Sequence, residues 1–417
     1  MTRFRQVLPL MTVSASKAGV ALLSVGTAAM IAHVYGQVGL GIFALLRVAP
    51  TVLMVLTDPG FSHAIPFLSA NRKVNEHAIL GSGICVYLAV SVLQVGVWAL
   101  LAPLIQRHLL TTLPMTAVYA AAVLVPMQSI TILIVNLLRA RHRYNLANGV
   151  FLLAELFLLV LIVISALWAE PSLAILAYLL ILSSGASLLV GFGFILSTGT
   201  RGSLKHDRAV ITEGLRFGIK SQVGNAFQIL NYRLDHLLLG IFLSPEKVAV
   251  YFVATKSIEF FRFFTASIVF VLEPVLAAQE KTDAKARVRK LLLPLLLANL
   301  FLLSIGVILA PFLYPLIFGG WSTDANAPLM VLCIGLAVSG ANSLFGAFFL
   351  GQGHPEVTTI ASLAGLMVTL VLAMILIPKY EIIGAAVTSS IAYSVITLVY
   401  FLTFFAQRRT RRKLENG

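Results

Sequence analysis

The sequence predicts an all-α integral membrane protein with 12 transmembrane helices. Of its 417 residues 59% are hydrophobic and only 11% charged, the mean hydropathy is +0.96, and the apolar residues gather in runs of about 20 or more, enough to cross about 30 Å of hydrocarbon. So few charges would not cover the surface of a water-soluble chain of this length. In lipid every backbone N–H and C=O needs an internal partner, which leaves helices or a closed barrel. The runs lack the sustained alternation of barrel strands, so they are helices.

The first span, 13–34, follows Arg3 and Arg5 and runs well past the length of a signal-peptide core, so it reads as an uncleaved helix. The second, 39–68, contains Asp58-Pro59-Gly60, where the proline predicts a kink and a carbonyl freed near the acid. Spans at 78–102, 114–138, 146–168 and 173–196 complete a first set of six. The stretch 197–208, rich in Gly, Ser and charge, is the natural joint between an N-terminal lobe, 1–200, and a C-terminal lobe, 201–417. The second six lie near 215–242, 248–276, 290–312, 327–350, 357–377 and 382–406.

An even number of spans puts both termini on one side. Loops on that side carry Arg72, Lys73, Arg139, Arg141, Arg143 and the basic runs at 201–208, 281–290 and 408–413, whereas the opposite loops hold only Arg107, Lys247 and Lys379. The positive-inside rule therefore predicts cytoplasmic termini. The formal charge of +14 is then mostly a topology signal, and no nucleic-acid partner is expected. Cys85 and Cys333 each sit inside an apolar run without metal-ligand or redox spacing, and read as small packing residues.

The two halves resemble each other weakly but in order. Ser16-Lys17-Ala18-Gly19 aligns with Ser221-Gln222-Val223-Gly224, Pro66 through Lys73 with Pro274 through Lys281, Ala102-Pro103 with Ala310-Pro311, and Leu138 and His142 with Leu350 and His354. Six spans per half give both copies one orientation, a parallel repeat about the membrane normal. In such carriers the cargo site lies between the halves and rocking alternates access.

Ionisable residues at membrane depth cost several kcal/mol by insertion scales, so each predicts a partner or a watery cavity. Arg47, Thr51, Met54 and Asp58 share a stripe on the second span, and Glu155 follows Asn148 on one face of the fifth. Lys220, Gly224, Gln228, Asn231 and Asp235 mark a polar stripe on the seventh span, and Lys256, Glu259, Arg262 and Glu273 fall within an arc of about 120° on the eighth. Arg47, Lys256 and Arg262, with Lys220 and Arg233, are the candidate ligands of an anionic cargo. Asp58, Glu155, Asp235 and Glu259 are the candidate acids for ion coupling or helix pairing. Bland alternatives stand beside these: Lys17 and Lys220 snorkelling to the interface, Arg233 in an interhelical pair, Glu259 as a structural counter-ion, and Phe260, Phe261, Phe263 and Phe264 as packing rather than a sugar platform.

No phosphate-cradling GxxxxGK[ST] loop, HExxH, GxSxG or paired-cysteine motif occurs, so neither a self-powered pump, nor a metal site, nor a cofactor is expected. A membrane enzyme would need a carboxylate or histidine cluster at one interface, where this chain offers mainly Lys and Arg suited to anionic lipid.

The chain resembles the Wzx-type O-antigen flippases of the multidrug/oligosaccharidyl-lipid/polysaccharide exporter superfamily. The resemblance rests on His33-Val34-Tyr35-Gly36 through Gly41-Ile42-Phe43, Thr57-Asp58-Pro59-Gly60-Phe61 and Leu138 through Tyr144. It continues with Arg216-Phe217-Gly218 leading to Asn231-Tyr232-Arg233-Leu234-Asp235, Leu243 through Tyr251, Ile377-Pro378-Lys379-Tyr380 and Gly384-Ala385-Ala386. Pro59 replaces a usual Leu, and Ala249 a common Gly. The resemblance implies two pseudo-symmetric six-helix lobes in a MATE-like V. It also implies an ion-coupled antiporter of the bacterial inner membrane, not an enzyme, that moves undecaprenyl-pyrophosphate-linked oligosaccharide to the periplasmic leaflet in lipopolysaccharide synthesis. Membrane lipids, a polysaccharide polymerase and chain-length machinery are the partners it implies. A small-molecule or drug exporter of the same fold is the alternative, and would favour an acidic or aromatic cavity.

Overall fold

The computed structural model describes residues 2–70, 76–168, 172–197 and 206–406, with side chains throughout except at 2–17, 70, 260–271, 273, 274 and 277. No strand occurs among the described residues. The helices are α1 (Thr2–Val34), α2 (Gly36–Thr57), α3 (Phe61–Ala70), α4 (Glu76–His108), α5 (Met115–Ala120), α6 (Leu124–Ala140), α7 (Tyr144–Trp168), α8 (Leu173–Ser197), α9 (Arg208–Phe242), α10 (Pro245–Ala277), α11 (Lys281–Phe318), α12 (Asn326–Ser339), α13 (Asn342–Gly351) and α14 (Pro355–Ala406). Short 3₁₀ turns, Ala121–Val123 and Gly320–Ala325, precede α6 and α12. The second span is α2 with α3, the fourth α5 with α6, and the tenth α12 with α13. α14 is two spans, since Glu381 at its middle is non-helical (φ 51°, ψ −129°). Twelve spans result, those the apolar runs predict, in a multi-pass membrane protein.

Contacts divide the chain into Met1–Ala226 with Ser244–Ala249, and Phe227–Leu243 with Val250–Gly417. In the first unit α2 is the buried helix, its Leu40, Ile42, Leu45 and Leu46 fully enclosed. Its glycine-rich start allows this: a Cβ at Gly39 would strike Tyr35, and one at Gly41 the Pro245 carbonyl. By contrast α4 presents Val92 and Leu100, more than three-quarters exposed, the face expected toward lipid. A core around Phe61, Ile65, Leu68, Tyr87 and Leu133 joins α3, α4 and α6 and takes in Val210 at the start of α9.

The break between α2 and α3 follows from Pro59. Lacking an N–H, it leaves the Val55 carbonyl without its helical partner, and Gln222 Nε2 of α9 donates to that carbonyl at 2.9 Å. Gly60 (φ +78°) turns the chain, and its backbone packs directly on Gly218, where a Cβ on either residue would collide with the other's backbone.

The second unit is closed by an aromatic cluster, with Phe345, Phe348 and Phe349 of α13 meeting Tyr400 and Phe404 of α14. One detail supports the duplication. α6 ends with His142 at φ 57° and an Arg143 N–H to Leu138 carbonyl bond of 2.9 Å. α13 ends with Gly353 at φ 75° and a His354 N–H to Phe349 carbonyl bond of 2.7 Å. The same left-handed cap closes the fourth span of each half. It pairs His142 with Gly353, one residue from the register read in the sequence.

Candidate functional site

Each unit carries its own constellation of charge inside the apolar bundle. In the first, Arg47 of α2 pairs with Glu155 of α7. The Arg47 guanidinium lies 5.5 Å from the Phe43 ring centroid. One turn on, Thr51 donates to the Arg47 carbonyl at 2.8 Å and to Gln128 Oε1 of α6 at 3.1 Å. The pair is asymmetric, with the Arg47 side chain 34% exposed and that of Glu155 only 8%. Glu155 Oε2 is buried without a hydrogen-bond partner among the described residues.

Asp58 does different work. Its Oδ1 accepts the Gly60 N–H at 2.6 Å and the Tyr87 hydroxyl of α4 at 2.9 Å. That hydroxyl in turn accepts the Ser62 N–H at 3.3 Å. The acid thus caps the start of α3 and ties it to α4, satisfying backbone donors that the broken helix strands.

In the second unit Glu259 of α10 takes two cations, Arg233 of α9 at 2.9 Å and Lys256 one turn earlier at 2.8 Å. Lys256 also lies 5.2 Å from the Phe252 ring centroid. Arg233 and Glu259 keep 34% and 39% of their side chains exposed. Two cations on one carboxylate leave this set net positive and reachable, an arrangement able to receive an anion.

Asp235, in contrast, is saturated. Its Oδ1 accepts the His236 backbone N–H at 2.8 Å and faces His236 Nδ1 at 2.9 Å, while Oδ2 accepts from Tyr251 at 2.8 Å and Ser389 at 3.3 Å. Asn231 is likewise buried, donating to the Ser362 carbonyl at 2.6 Å. Lys220 and Gln228 of the same stripe are exposed, so α9 divides its polar residues between packing and open surface. The side chains of Lys17, Arg262, Glu273 and the Phe260–Phe264 run lie outside the described ones.

Sequence reasoning named the charged members of both sets but gave no site role to Gln128, Tyr87, Tyr251, His236 or Ser389. Only His236, next to Asp235, carried a local signal. Among the described residues no group of three or more His, Cys, Asp or Glu is placed to hold a metal.

This architecture is that of the flippase and multidrug transporter fold. The chain superposes on lipid II flippase MurJ in an inward closed conformation with TM-score 0.77, covering 94% of this chain and 87% of that one at 14% identity. It superposes on an inward-facing MATE family multidrug resistance transporter of the MOP superfamily with TM-score 0.74, covering 94% and 96% at 15% identity. At such identities the likeness is one of fold.

The chain itself belongs to the polysaccharide biosynthesis protein family, whose profile matches residues 31–319. It is 30% identical over 142 residues to the capsular polysaccharide biosynthesis protein CapF of Staphylococcus aureus, covering 33% of this chain and 36% of that protein. It is 21% identical over 244 residues to the probable low-salt glycan biosynthesis flippase Agl15 of Haloferax volcanii, covering 58% and 50%. The chain thus spans half or less of the length of these curated relatives.

Proposed function

We propose that this protein is a flippase for polyprenyl-pyrophosphate-linked oligosaccharide. It moves O-antigen or exopolysaccharide repeat units from the cytoplasmic to the periplasmic leaflet of a bacterial inner membrane by exposing the cargo to each side in turn, with both termini in the cytoplasm. The observation that carries the reading is the net-positive set of Arg233, Lys256 and Glu259 inside an apolar bundle, with the side chains of Arg233 and Glu259 34% and 39% exposed and that of Lys256 13% exposed. An exporter of cationic drugs would be served by the opposite sign. Arg47, Lys220 and Arg262 are the further cationic residues assigned to the pyrophosphate. Glu155, paired with Arg47, and Glu259, paired with Arg233 and Lys256, hold cations the cargo would claim and are the acids assigned to ion coupling. Asp58 and Asp235, engaged by hydrogen bonds, are assigned to helix pairing.

The test is flipping in proteoliposomes of a fluorescent polyprenyl-pyrophosphate oligosaccharide, read by leaflet-specific quenching. Wild-type protein should equilibrate the probe, and Arg233→Ala, Lys256→Ala, Arg47→Ala and Arg262→Ala should each slow it. Equal rates with empty vesicles would reject the function, and a normal rate in any one variant would remove that residue from the site. In cells, deletion should accumulate repeat units on the cytoplasmic leaflet; unchanged surface glycan would argue against the assignment.

A further inference from the structure

α11 begins about ten residues before its apolar run. In that leading stretch Lys281, Lys285 and Arg289 recur every four residues and so form one stripe. The stripe flanks the face that Ala284 and Val288 bury completely. Each cation meets a ring. Lys281 Nζ is 3.4 Å from His354 Nε2, Lys285 Nζ is 4.9 Å from the Phe404 ring centroid, and Arg289 Cζ is 5.5 Å from that of Phe405. Phe404 and Phe405 belong to the last turn of α14, so the stripe forms a rim where two helices leave the apolar layer together.

Three features of this rim point to a ligand. Arg289 Nε is buried and has no hydrogen-bond partner among the described residues. Of the nearby acids, Asp283 lies about 160° around α11 from Lys285, Glu356 accepts from His354 Nδ1 at 3.0 Å, and Glu280 precedes the helix at its N-cap, so the stripe itself carries no acid. Below Arg289, on the adjoining face of α11, Leu293 and Leu300 are 64% and 49% exposed, a track for acyl chains beneath a headgroup.

We propose that this rim binds an anionic phospholipid, its phosphodiester against Lys281, Lys285 and Arg289 and its chains along Leu293 and Leu300. The depth is that of headgroups, at the junction of a charged helical stretch with an apolar one. The rings hold two long, flexible cations in place beforehand, so little further ordering entropy is lost when the phosphate arrives. The rim shares no residue with the set assigned to the cargo, and the inference does not depend on that assignment.

Native mass spectrometry of the purified full chain, titrated with phosphatidylglycerol and in parallel with phosphatidylcholine, reads the site directly. A cation near an anionic lipid surface is worth roughly fivefold in affinity, so Lys285→Gln with Arg289→Gln should weaken phosphatidylglycerol retention about 25-fold. Arg287→Gln with Lys290→Gln removes the same charge from the opposite face and should change it about twofold or less. If the first double variant does not fold, Arg289→Gln alone decides, with a roughly fivefold loss. Equal losses in the two pairs, no loss in Arg289→Gln, or equal retention of phosphatidylcholine would each overturn the proposal. So would displacement of the lipid by micromolar inorganic pyrophosphate, which would make the rim a site for soluble or cargo phosphate.

Discussion

Replacing Arg47 by Met should cost more than replacing Glu155 by Met, although both break the same ion pair. Arg47→Met strands a carboxylate whose side chain is 8% exposed and whose Oε2 has no partner among the described residues, whereas Glu155→Met strands a guanidinium that is 34% exposed. Breaking a buried pair from one side costs about 3–5 kcal/mol, chiefly because the remaining charge stays desolvated. Water reaching Arg47 discounts the pair to the low end, so Arg47→Met should cost about 3 kcal/mol. Glu155→Met should cost about 1–2 kcal/mol, because the guanidinium it leaves is one-third exposed rather than enclosed. The double variant replaces the pair by apolar side chains of similar reach and should recover most of the loss, a coupling of about 2 kcal/mol or more. Equilibrium unfolding in mixed micelles gives all four corners of the cycle. Flipping measured on the same samples should remain impaired in the stable double variant, which separates a pair that serves transport from a purely structural one. Additive single effects, or a larger cost for Glu155→Met than for Arg47→Met, would refute the reasoning.

Three further outcomes are expected. Gly218→Ala should destabilise by about 1–3 kcal/mol, because its methyl would collide with the Gly60 backbone, while Gly96→Ala, with nothing within 4 Å, should be neutral or slightly stabilising; melting in detergent ranks the two. Tyr251→Phe removes the 2.8 Å donor to Asp235 and should cost about 1–3 kcal/mol, with Ser389→Ala, at 3.3 Å, costing less in the same assay. Glu259→Gln releases Arg233 and Lys256 from their shared carboxylate and should tighten binding of a pyrophosphate probe, measured by calorimetry, while lowering stability.

Much of the fold was legible because a bilayer sets a minimum length for each apolar run, and because Pro59 and Gly60 announce a broken helix in local chemistry. The carbonyl that Pro59 frees was foreseeable, but its acceptance by Gln222 was not, since the donor sits on another helix far along the chain. The charged residues were legible as a set, and their partners were not. Helical spacing places Glu155 beside Asn148 on α7 but says nothing of Arg47, 108 positions earlier. The α9 stripe shows the same limit. Periodicity puts Lys220, Gln228, Asn231 and Asp235 on one face, yet neighbouring helices cover only its later part, where Asn231 meets Ser362 and Asp235 meets Tyr251.

The joint within α14 has a consequence for how the protein is made and moves. Gly384 lies so close to the backbone of Leu376 and Ile377 that a methyl there would strike the Leu376 carbonyl, and Glu381 alone carries the reversal in a left-handed backbone. No slack loop separates these two spans. So tight a reversal predicts that the two spans enter the bilayer as a hairpin rather than one after the other, and that any movement of one carries the other with it.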